Sequence, residues 1–193
     1  MKRAVILHGL PSDEEYHDFE GDSQSNDHWL PWLQQQLCAR DILTQTPEMP
    51  NAYDPKYEEW KEEFERQVVD EDTLLVGHSC GGGFLLRWLS EENRTVGHLV
   101  LVAPWLDREK VNGPLFEFDL DPSVESRIKG GIDLLYSTND ETSQQTSLEY
   151  LRQSGIDIRY HEFKDYGHFC LRDMKTREFP ELLEICLDKN SSL

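Results

Sequence analysis

The sequence predicts an α/β protein in three layers, with helices on both faces of a doubly wound, mainly parallel sheet. Short apolar runs of strand length, at residues 4–7, 74–76 and 99–103, alternate with segments whose apolar residues recur at helical spacing. The runs are apolar throughout, which is typical of strands buried on both faces of a parallel sheet. For a chain of 193 residues, we expect residues 1–193 to fold as one domain.

The first predicted strand, at residues 4–7, ends in His8-Gly9-Leu10. A turn at this end of a parallel strand lies at the edge of the sheet where ligands bind. We predict that the backbone N–H of Leu10 is an oxyanion donor there, since the next residue, Pro11, has no N–H. The alternative is an ordinary turn between a strand and a loop.

Residues 12–27 form a long polar connection, which we call the rim segment. Its acidic residues are Asp13, Glu14, Glu15, Asp18, Glu20, Asp22 and Asp27. Long loops in compact domains are often functional. We expect a solvated flap at the rim of the site. Selection against anionic substrates and docking of a basic protein partner are the functional alternatives.

Two helices and a short strand are predicted before residue 73. The first helix carries apolar residues at helical spacing, and a strand follows at 42–44. Asp54 and Pro55 predict the start of the second helix, as an N-cap and a first-turn proline. The apolar stripes are Trp29, Leu30, Leu33 and Leu37 in the first helix and Tyr57, Trp60, Phe64 and Val68 in the second. We expect their aromatic residues in the core rather than in contact with a cofactor.

A strand at 74–76 breaks into Gly-His-Ser-Cys-Gly at 77–81 and continues as an amphipathic helix. A serine at the tip of such a turn is held in a strained conformation, and small residues two positions away on each side let strand and helix pass closely. The turn aims the backbone N–H of Cys80 to where an oxyanion forms. Gly-x-Ser-x-Gly also occurs by chance, but this context predicts the nucleophile elbow of an α/β-hydrolase, with Ser79 as nucleophile.

Another strand follows the elbow helix at 99–103, and residues 105–127 then depart from the alternation of strands and helices. Trp105, Leu106 and Phe116 lie in this segment among prolines and charged residues. In this fold, an insertion at this point often forms a lid or one wall of the acyl pocket, so we predict that these three side chains bind the substrate. A loop that packs its aromatic side chains on the core is the alternative.

A catalytic serine needs an imidazole to accept its proton and a carboxylate to orient that imidazole. In this fold the partners follow in the order Ser, Asp or Glu, His, each after a later strand. Asp140 comes just after a predicted strand at 132–136, and His168 just after one at 156–160. We therefore predict a catalytic triad of Ser79, Asp140 and His168.

The other acids and histidines fit these positions less well. Asp133 and Asp157 lie inside predicted strands, and Asp165 immediately precedes the histidine turn. His161 lies within or at the end of its strand, and the remaining histidines precede the predicted acid in the chain.

The formal net charge of -19 argues against nucleic acid and anionic membranes as partners, and adaptation to high salt is a further interpretation of it. The four cysteines show no Cys-x-x-Cys spacing, which favours reduced thiols and a cytoplasmic location. The apolar run at 4–7 is too short for a signal peptide or a membrane span. His161, His168 and Cys170 might suggest a metal, but no second cluster at ligand spacing accompanies them, so no metal site is predicted.

With these residues placed, the chain resembles the small α/β-hydrolases of the retinoblastoma-binding protein 9 and YdeN type. The resemblance covers nearly the whole length, at His8-Gly9, Trp29-Leu30-Pro31-Trp32-Leu33, the helix at 57–60, Gly77-His78-Ser79-Cys80-Gly81, Ser137-Thr138-Asn139-Asp140 and Tyr166-Gly167-His168-Phe169. It implies a serine hydrolase without a cofactor, with Ser79 as nucleophile, Asp140 as orienting acid and His168 as general base. The chain departs from the family at Asn139, where an aspartate is common, and in a rim segment that looks longer than usual.

We therefore expect a serine hydrolase that cleaves small or medium acyl esters of a small-molecule substrate through an acyl-enzyme. Amide or peptide hydrolysis uses the same residues and is one alternative. The other is a protein-interaction module that keeps the fold with little turnover and docks a basic partner on the rim segment.

Overall fold

A computed structural model describes residues 3–108, 110 and 113–188. The strands of the described residues are β1 (Arg3–Leu7), β2 (Leu43–Gln45), β3 (Thr73–His78), β4 (His98–Val102), β5 (Ile132–Ser137) and β6 (Ile158–Phe163). They form one sheet in the order β2-β1-β3-β4-β5-β6, and all neighbours pair in parallel. The order runs outward from β1 in both directions, so the predicted doubly wound parallel sheet is confirmed.

Helices cover both faces of this sheet. They are α1 (Asp13–Tyr16), α2 (Leu30–Cys38), α3 (Tyr57–Phe64), α4 (Cys80–Glu91), α5 (Thr142–Arg152), α6 (Leu171–Met174) and α7 (Pro180–Leu187), with 3₁₀ turns at Gln24–Asn26, Gly113–Phe116 and Val124–Arg127. Alternate residues of β1 enter two apolar clusters: Val5 and Leu7 join α3, α4 and α5, whereas Ala4 and Ile6 join α2 and α7. The sheet is therefore the middle of three layers.

The parallel arrangement gathers the predicted site at one edge of the sheet. Since all strands point the same way, the turns that follow β1, β3, β5 and β6 emerge at the same edge. These turns carry Leu10, Ser79, Asp140 and His168 in that order.

The second predicted helix differs from the structure at both ends. α3 begins at Tyr57, with Lys56 as its N-cap. Asp54 lies in a preceding turn, where its carboxylate accepts from Lys56 Nζ at 2.7 Å. The helix ends at Phe64, and Val68 lies beyond it, 56% exposed. The predictions that Asp54 caps the helix, that Pro55 lies in its first turn and that its apolar stripe extends to Val68 are wrong, because the chain is not helical directly before Tyr57 or directly after Phe64. The prediction that the aromatic residues of the stripe lie in the core is confirmed for Tyr57, Trp60 and Phe64.

The rim segment contains a short helix rather than being irregular throughout. α1 starts with a capping box: Ser12 Oγ accepts from the Glu15 N–H at 3.1 Å, and the Glu15 carboxylate accepts from the Ser12 N–H at 2.8 Å. Ser-x-x-Glu is a signal of a helix start, so this element is readable from the sequence.

The segment 105–127 packs part of itself into the core, although residues 109, 111 and 112 fall outside the described residues. Trp105, Leu106 and Phe116 belong to the same apolar cluster as α4. The rings of Trp105 and Phe116 meet edge to face, with centroids 5.1 Å apart. These contacts agree with the second of the two interpretations of this segment, a loop that packs its aromatic side chains on the core.

Within the described ranges, no helix is both long and apolar enough to cross a lipid bilayer. The cysteines, Cys38, Cys80, Cys170 and Cys186, are free thiols. Burial raises the pKa of the last three, that of Cys170 to about 12, so these thiols are poor nucleophiles at neutral pH.

Candidate active site

Ser79 lies between β3 and α4 with φ 52° and ψ -119°, a conformation that residues with a side chain adopt only at an energetic cost. Hydrogen bonds hold its backbone on both sides. Its N–H donates to the Val102 carbonyl at 2.9 Å. Its carbonyl accepts from the N–H groups of Gly82, Gly83 and Trp105 at 3.0, 3.2 and 3.0 Å. These bonds offset the strain and fix the hydroxyl at the edge of the sheet.

Close packing of strand against helix requires the glycines of the elbow. A Cβ on Gly77 would lie 2.6 Å from the backbone nitrogen of Gly82. A Cβ on Gly81 would lie 2.5 Å from the carbonyl oxygen of His8. Neither backbone atom can give way without moving a strand or the helix. The prediction that both positions must be small is confirmed.

The structure brings Ser79, Asp140 and His168 together. His168 lies between the other two: Nε2 is 2.8 Å from Ser79 Oγ, and Nδ1 is 3.0 and 3.1 Å from the two carboxylate oxygens of Asp140. Asp140 follows β5 and His168 follows β6, at the strand ends that the sequence predicts. Because a carboxylate can only accept, Nδ1 carries the proton and Nε2 is left to accept from the Ser79 hydroxyl.

Side-chain exposure to solvent decreases from His168 to Asp140. The side chain of His168 is 15% exposed, and that of Asp140 is 3% exposed. Water therefore screens the bond between carboxylate and imidazole only weakly, which strengthens it. The imidazole itself remains reachable from solvent.

The two predicted oxyanion donors lie beside the serine. Cys80 is the first residue of α4, so its N–H is one of the helix's terminal donors. The turn after β1 comes close to the serine, since a Cβ on Gly9 would lie 3.2 Å from Ser79 Cβ, and Leu10 is the next residue. The roles of Leu10 and Cys80 stay predictions.

Asp133 is excluded as the acid by its place in the sheet. It is the second residue of β5, at the edge opposite to Ser79. Its carboxylate lies 2.6 Å from His98 Nε2, 2.7 Å from His161 Nε2 and 2.6 Å from an Arg159 guanidinium nitrogen. Burial alone would raise the pKa of Asp133, but hydrogen bonds from these three side chains hold it well below its usual range.

Two histidines that play no part in the predicted triad support its turns. The His78 ring donates from Nε2 to the His168 carbonyl oxygen at 2.8 Å, and burial lowers the pKa of His78 well below its ordinary value, so the ring is a neutral donor. The His8 ring donates from Nδ1 to the Gly9 carbonyl at 2.7 Å and accepts from the Met49 N–H at 2.9 Å. Both histidines lie inside motifs identified in the sequence, His8-Gly9 and Gly77-His78-Ser79-Cys80-Gly81, but the motifs do not predict their supporting roles.

A family model for serine hydrolases matches residues 17–184. The match includes the elbow and the turns that carry Asp140 and His168. The chain belongs to the serine hydrolase family.

Individual relatives of this serine hydrolase agree with that assignment. YdeN of Bacillus subtilis (strain 168) is 27% identical over 177 residues, which cover 87% of this chain and 86% of YdeN. The crystal structure of the ydeN gene product from B. subtilis has a TM-score of 0.78 at 23% identity and covers 96% of each chain. A structure of Est1E from Butyrivibrio proteoclasticus with ferulic acid bound has a TM-score of 0.62 at 12% identity, covering 96% of this chain and 86% of that one. The predicted α/β-hydrolase fold and the resemblance to YdeN are confirmed.

A cavity of about 460 Å³ opens beside the imidazole of this serine hydrolase. The residues that line it are Leu10, Pro11, Glu15, Asp18, Gly21, Asp22, Gln24, Asp27, His28, His168, Cys170, Leu171 and Arg172. The rim segment contributes all of the carboxylates in this lining, and Arg172 contributes the guanidinium. The rim segment is therefore one wall of the approach to His168.

The predicted substrate contacts lie elsewhere. Among the described residues that line the cavity beside His168, Trp105, Leu106 and Phe116 do not appear. Phe116 lines a second cavity of about 460 Å³, together with Phe118 and the charged side chains of Asp107, Arg108, Lys110, Glu117 and Asp119. The substrate-binding role of Trp105, Leu106 and Phe116 stays a prediction.

Proposed function

We propose that the protein cleaves esters of small or medium acyl groups through an acyl-enzyme. The observation that carries the proposal is the position of His168, whose ring nitrogens lie 2.8 Å from Ser79 Oγ and 3.0 Å from Asp140 Oδ1. Both distances are within hydrogen-bond reach, as proton transfer requires. In this proposal Ser79 is the nucleophile, His168 the general base and Asp140 the carboxylate that orients the base.

The reaction follows from this arrangement. Ser79 Oγ attacks the ester carbonyl while its proton passes to His168 Nε2, and the Asp140 carboxylate stabilises the imidazolium that forms. The N–H groups of Leu10 and Cys80 stabilise the tetrahedral oxyanion. His168 then gives its proton to the leaving alcohol, and a water activated by the same imidazole hydrolyses the acyl-enzyme.

The lining of the cavity supports a restriction on the acyl group. The rim segment lines one side of the cavity with polar and charged side chains, and Leu10, Pro11, Cys170 and Leu171 supply an apolar part of the lining. A small or medium acyl group can bury its apolar surface against those four residues, whereas a longer alkyl chain that continues along the rim segment gains little further free energy. The rim carboxylates also repel a negatively charged acyl group.

A matched pair of esters measures that repulsion. We expect kcat/KM for p-nitrophenyl hemisuccinate to be about 10-fold below that for p-nitrophenyl butyrate at low salt, with the gap closing as ionic strength rises. Asp18→Asn removes one lining carboxylate and should narrow the gap about twofold. Glu58→Gln, an exposed change on α3, is the control and should leave the gap unchanged. Equal rates for both esters, or a preference for the palmitate ester over butyrate, would contradict the proposed substrate class.

An active-site-directed probe tests the proposed nucleophile. Intact-mass analysis after treatment with a fluorophosphonate should show one adduct on the wild-type protein, because only a serine activated by a neighbouring imidazole reacts readily. Ser79→Ala and His168→Ala should both lose the adduct. The control is Ser126→Ala, which replaces an exposed serine in the 3₁₀ turn Val124–Arg127 and should keep the adduct.

The opposite result has a defined meaning. If folded wild-type protein forms no adduct and hydrolyses neither ester, the proposed hydrolase activity is wrong. An interaction module that docks a basic protein partner on the acidic rim segment would then be the better account.

We also propose a cytoplasmic location. The cysteines are free thiols, three of them buried, which suits a compartment that keeps thiols reduced.

A further inference from the structure

The geometry points to Asn139 as a positioning residue, whose side chain fastens the turn that carries Asp140 to the turn that carries His168. This inference rests on the proposed function, since it concerns how the base and the acid are held at a working distance. The hydrogen bonds of the Asn139 side chain go to Ser137 and Gly167, and Asn139 is not among the described residues that line the cavity.

The contacts of Asn139 cross between the two turns. Its Oδ1 accepts from the Gly167 N–H at 2.9 Å and from the Ser137 hydroxyl at 2.6 Å. A backbone N–H can only donate, so the amide oxygen, rather than the amide nitrogen, must face Gly167. The Ser137 hydroxyl in turn accepts from the Tyr166 N–H at 3.2 Å. Ser137 and Asn139 together therefore bind two successive N–H groups of the turn before His168.

We call the hydrogen bonds of Asn139 and Ser137 to the turn before His168 the link. Its position in the chain suits it to fix the distance between Asp140 and His168. Asn139 immediately precedes Asp140, and Gly167 immediately precedes His168. The link therefore joins the neighbours of the two residues whose side chains meet at 3.0 Å. A shift of either turn would be transmitted directly to that contact.

The remaining anchors of the histidine turn come from other elements. The His168 N–H donates to the Asp173 carboxylate at 3.1 Å, and the His168 carbonyl accepts from His78. Gly167 has φ 51°, and a Cβ there would lie 2.5 Å from the Asp173 carboxyl carbon. These anchors hold the turn to α6 and β3, whereas Asn139 holds it to the acid.

Loss of the link should therefore impair the chemistry more than binding. Displacing a catalytic group by about 1 Å can cost about 100-fold in rate. For Asn139→Ala we expect kcat on p-nitrophenyl butyrate to fall 10- to 100-fold with KM within about threefold, and the rate of fluorophosphonate labelling to fall in parallel. For Asn139→Asp we expect kcat within about fivefold of wild type, because a carboxylate oxygen accepts the same two hydrogen bonds.

The test compares kcat, KM, labelling rate and thermal midpoint for wild type, Asn139→Ala, Asn139→Asp and Thr138→Ala. Thr138 is the exposed neighbour, and its replacement should leave all four unchanged. Ser137→Ala removes the second half of the link and should also lower kcat. This variant keeps the test decisive if Asn139→Ala does not fold.

If wild type is labelled and active and Asn139→Ala is as fast as Thr138→Ala, this inference is overturned and the proposed function is not. An Asn139→Asp variant as slow as Asn139→Ala would also overturn it. A wild type that is neither labelled nor active would overturn the proposed function and this inference with it.

Discussion

Asp140→Asn should lower kcat for ester hydrolysis by about 10⁴-fold while leaving the fold and KM nearly unchanged. The asparagine occupies the same space, but its amide nitrogen donates where the carboxylate accepted. His168 would then present the wrong tautomer to the serine, with its lone pair on Nδ1 and its proton on Nε2. The effect should be large because the Asp140 side chain is only 3% exposed, so water cannot replace the lost acceptor.

Steady-state kinetics with p-nitrophenyl butyrate measure the loss of activity, and circular dichroism checks the fold. Glu141→Gln is the matched control, since Glu141 is the next residue and its side chain is 69% exposed. That variant should keep kcat within about twofold, because an exposed carboxylate contributes little. An Asp140→Asn variant with more than a tenth of wild-type activity would mean that another group orients His168.

Gly81→Ala should destabilise the protein by about 3 kcal/mol or more. The added Cβ would lie 2.5 Å from the His8 carbonyl oxygen and 2.8 Å from that of Leu7. Both are backbone atoms at the end of β1, a strand paired on both sides, so the clash can be relieved only by separating strand from helix. That separation would also displace the Gly9-Leu10 turn from the serine.

Urea denaturation measures the loss in free energy of unfolding for Gly81→Ala. Gly21→Ala is the control, because the space around Gly21 can accept a Cβ more easily. A Cβ on Gly21 would meet only the end of the Asp18 side chain, at 3.2 Å, on an exposed segment. Gly21→Ala should stay within about 0.5 kcal/mol of the wild-type protein. If the two variants unfold at the same urea concentration, the close approach at the elbow is not what requires glycine.

The central strands of the sheet are predictable from the sequence, because strands buried on both faces are largely apolar. Residues 74–76 and 99–103 show this pattern, and they lie in or directly beside β3 and β4. The three residues of the candidate triad are predictable for a different reason. After Ser79, Asp140 and His168 are the acid and the histidine that best fit the expected chain order and the ends of later strands. In the structure His168 contacts Ser79, and Asp140 contacts His168.

The cavity and the link at Asn139 are not predictable in this way. The cavity forms where the rim segment meets residues 168–172, and neither stretch has a periodicity that would predict the meeting. In the sequence, Asn139 stands out only because the family commonly has an aspartate at that position. Its contact with Gly167, 28 residues further along the chain, has no sequence signal. At Val68 the sequence predicts a feature that the structure lacks. Its helical spacing from Phe64 predicts a longer helix, but α3 ends at Phe64.

The spacing of the site along the chain has a consequence for folding. Ser79 and His168 are 89 residues apart, and β4 and β5 lie between the strands that carry them. β6 reaches its place only after β3 has paired with β4 and β4 with β5. Each of these parallel pairings is slow, because the connection between the two strands must close, at a cost in entropy, before their contacts form. A nascent or nicked chain that has formed the elbow but not yet added β6 holds a strained serine without His168 beside it. Under the proposed mechanism, catalytic competence therefore appears only when the last strand has joined the sheet.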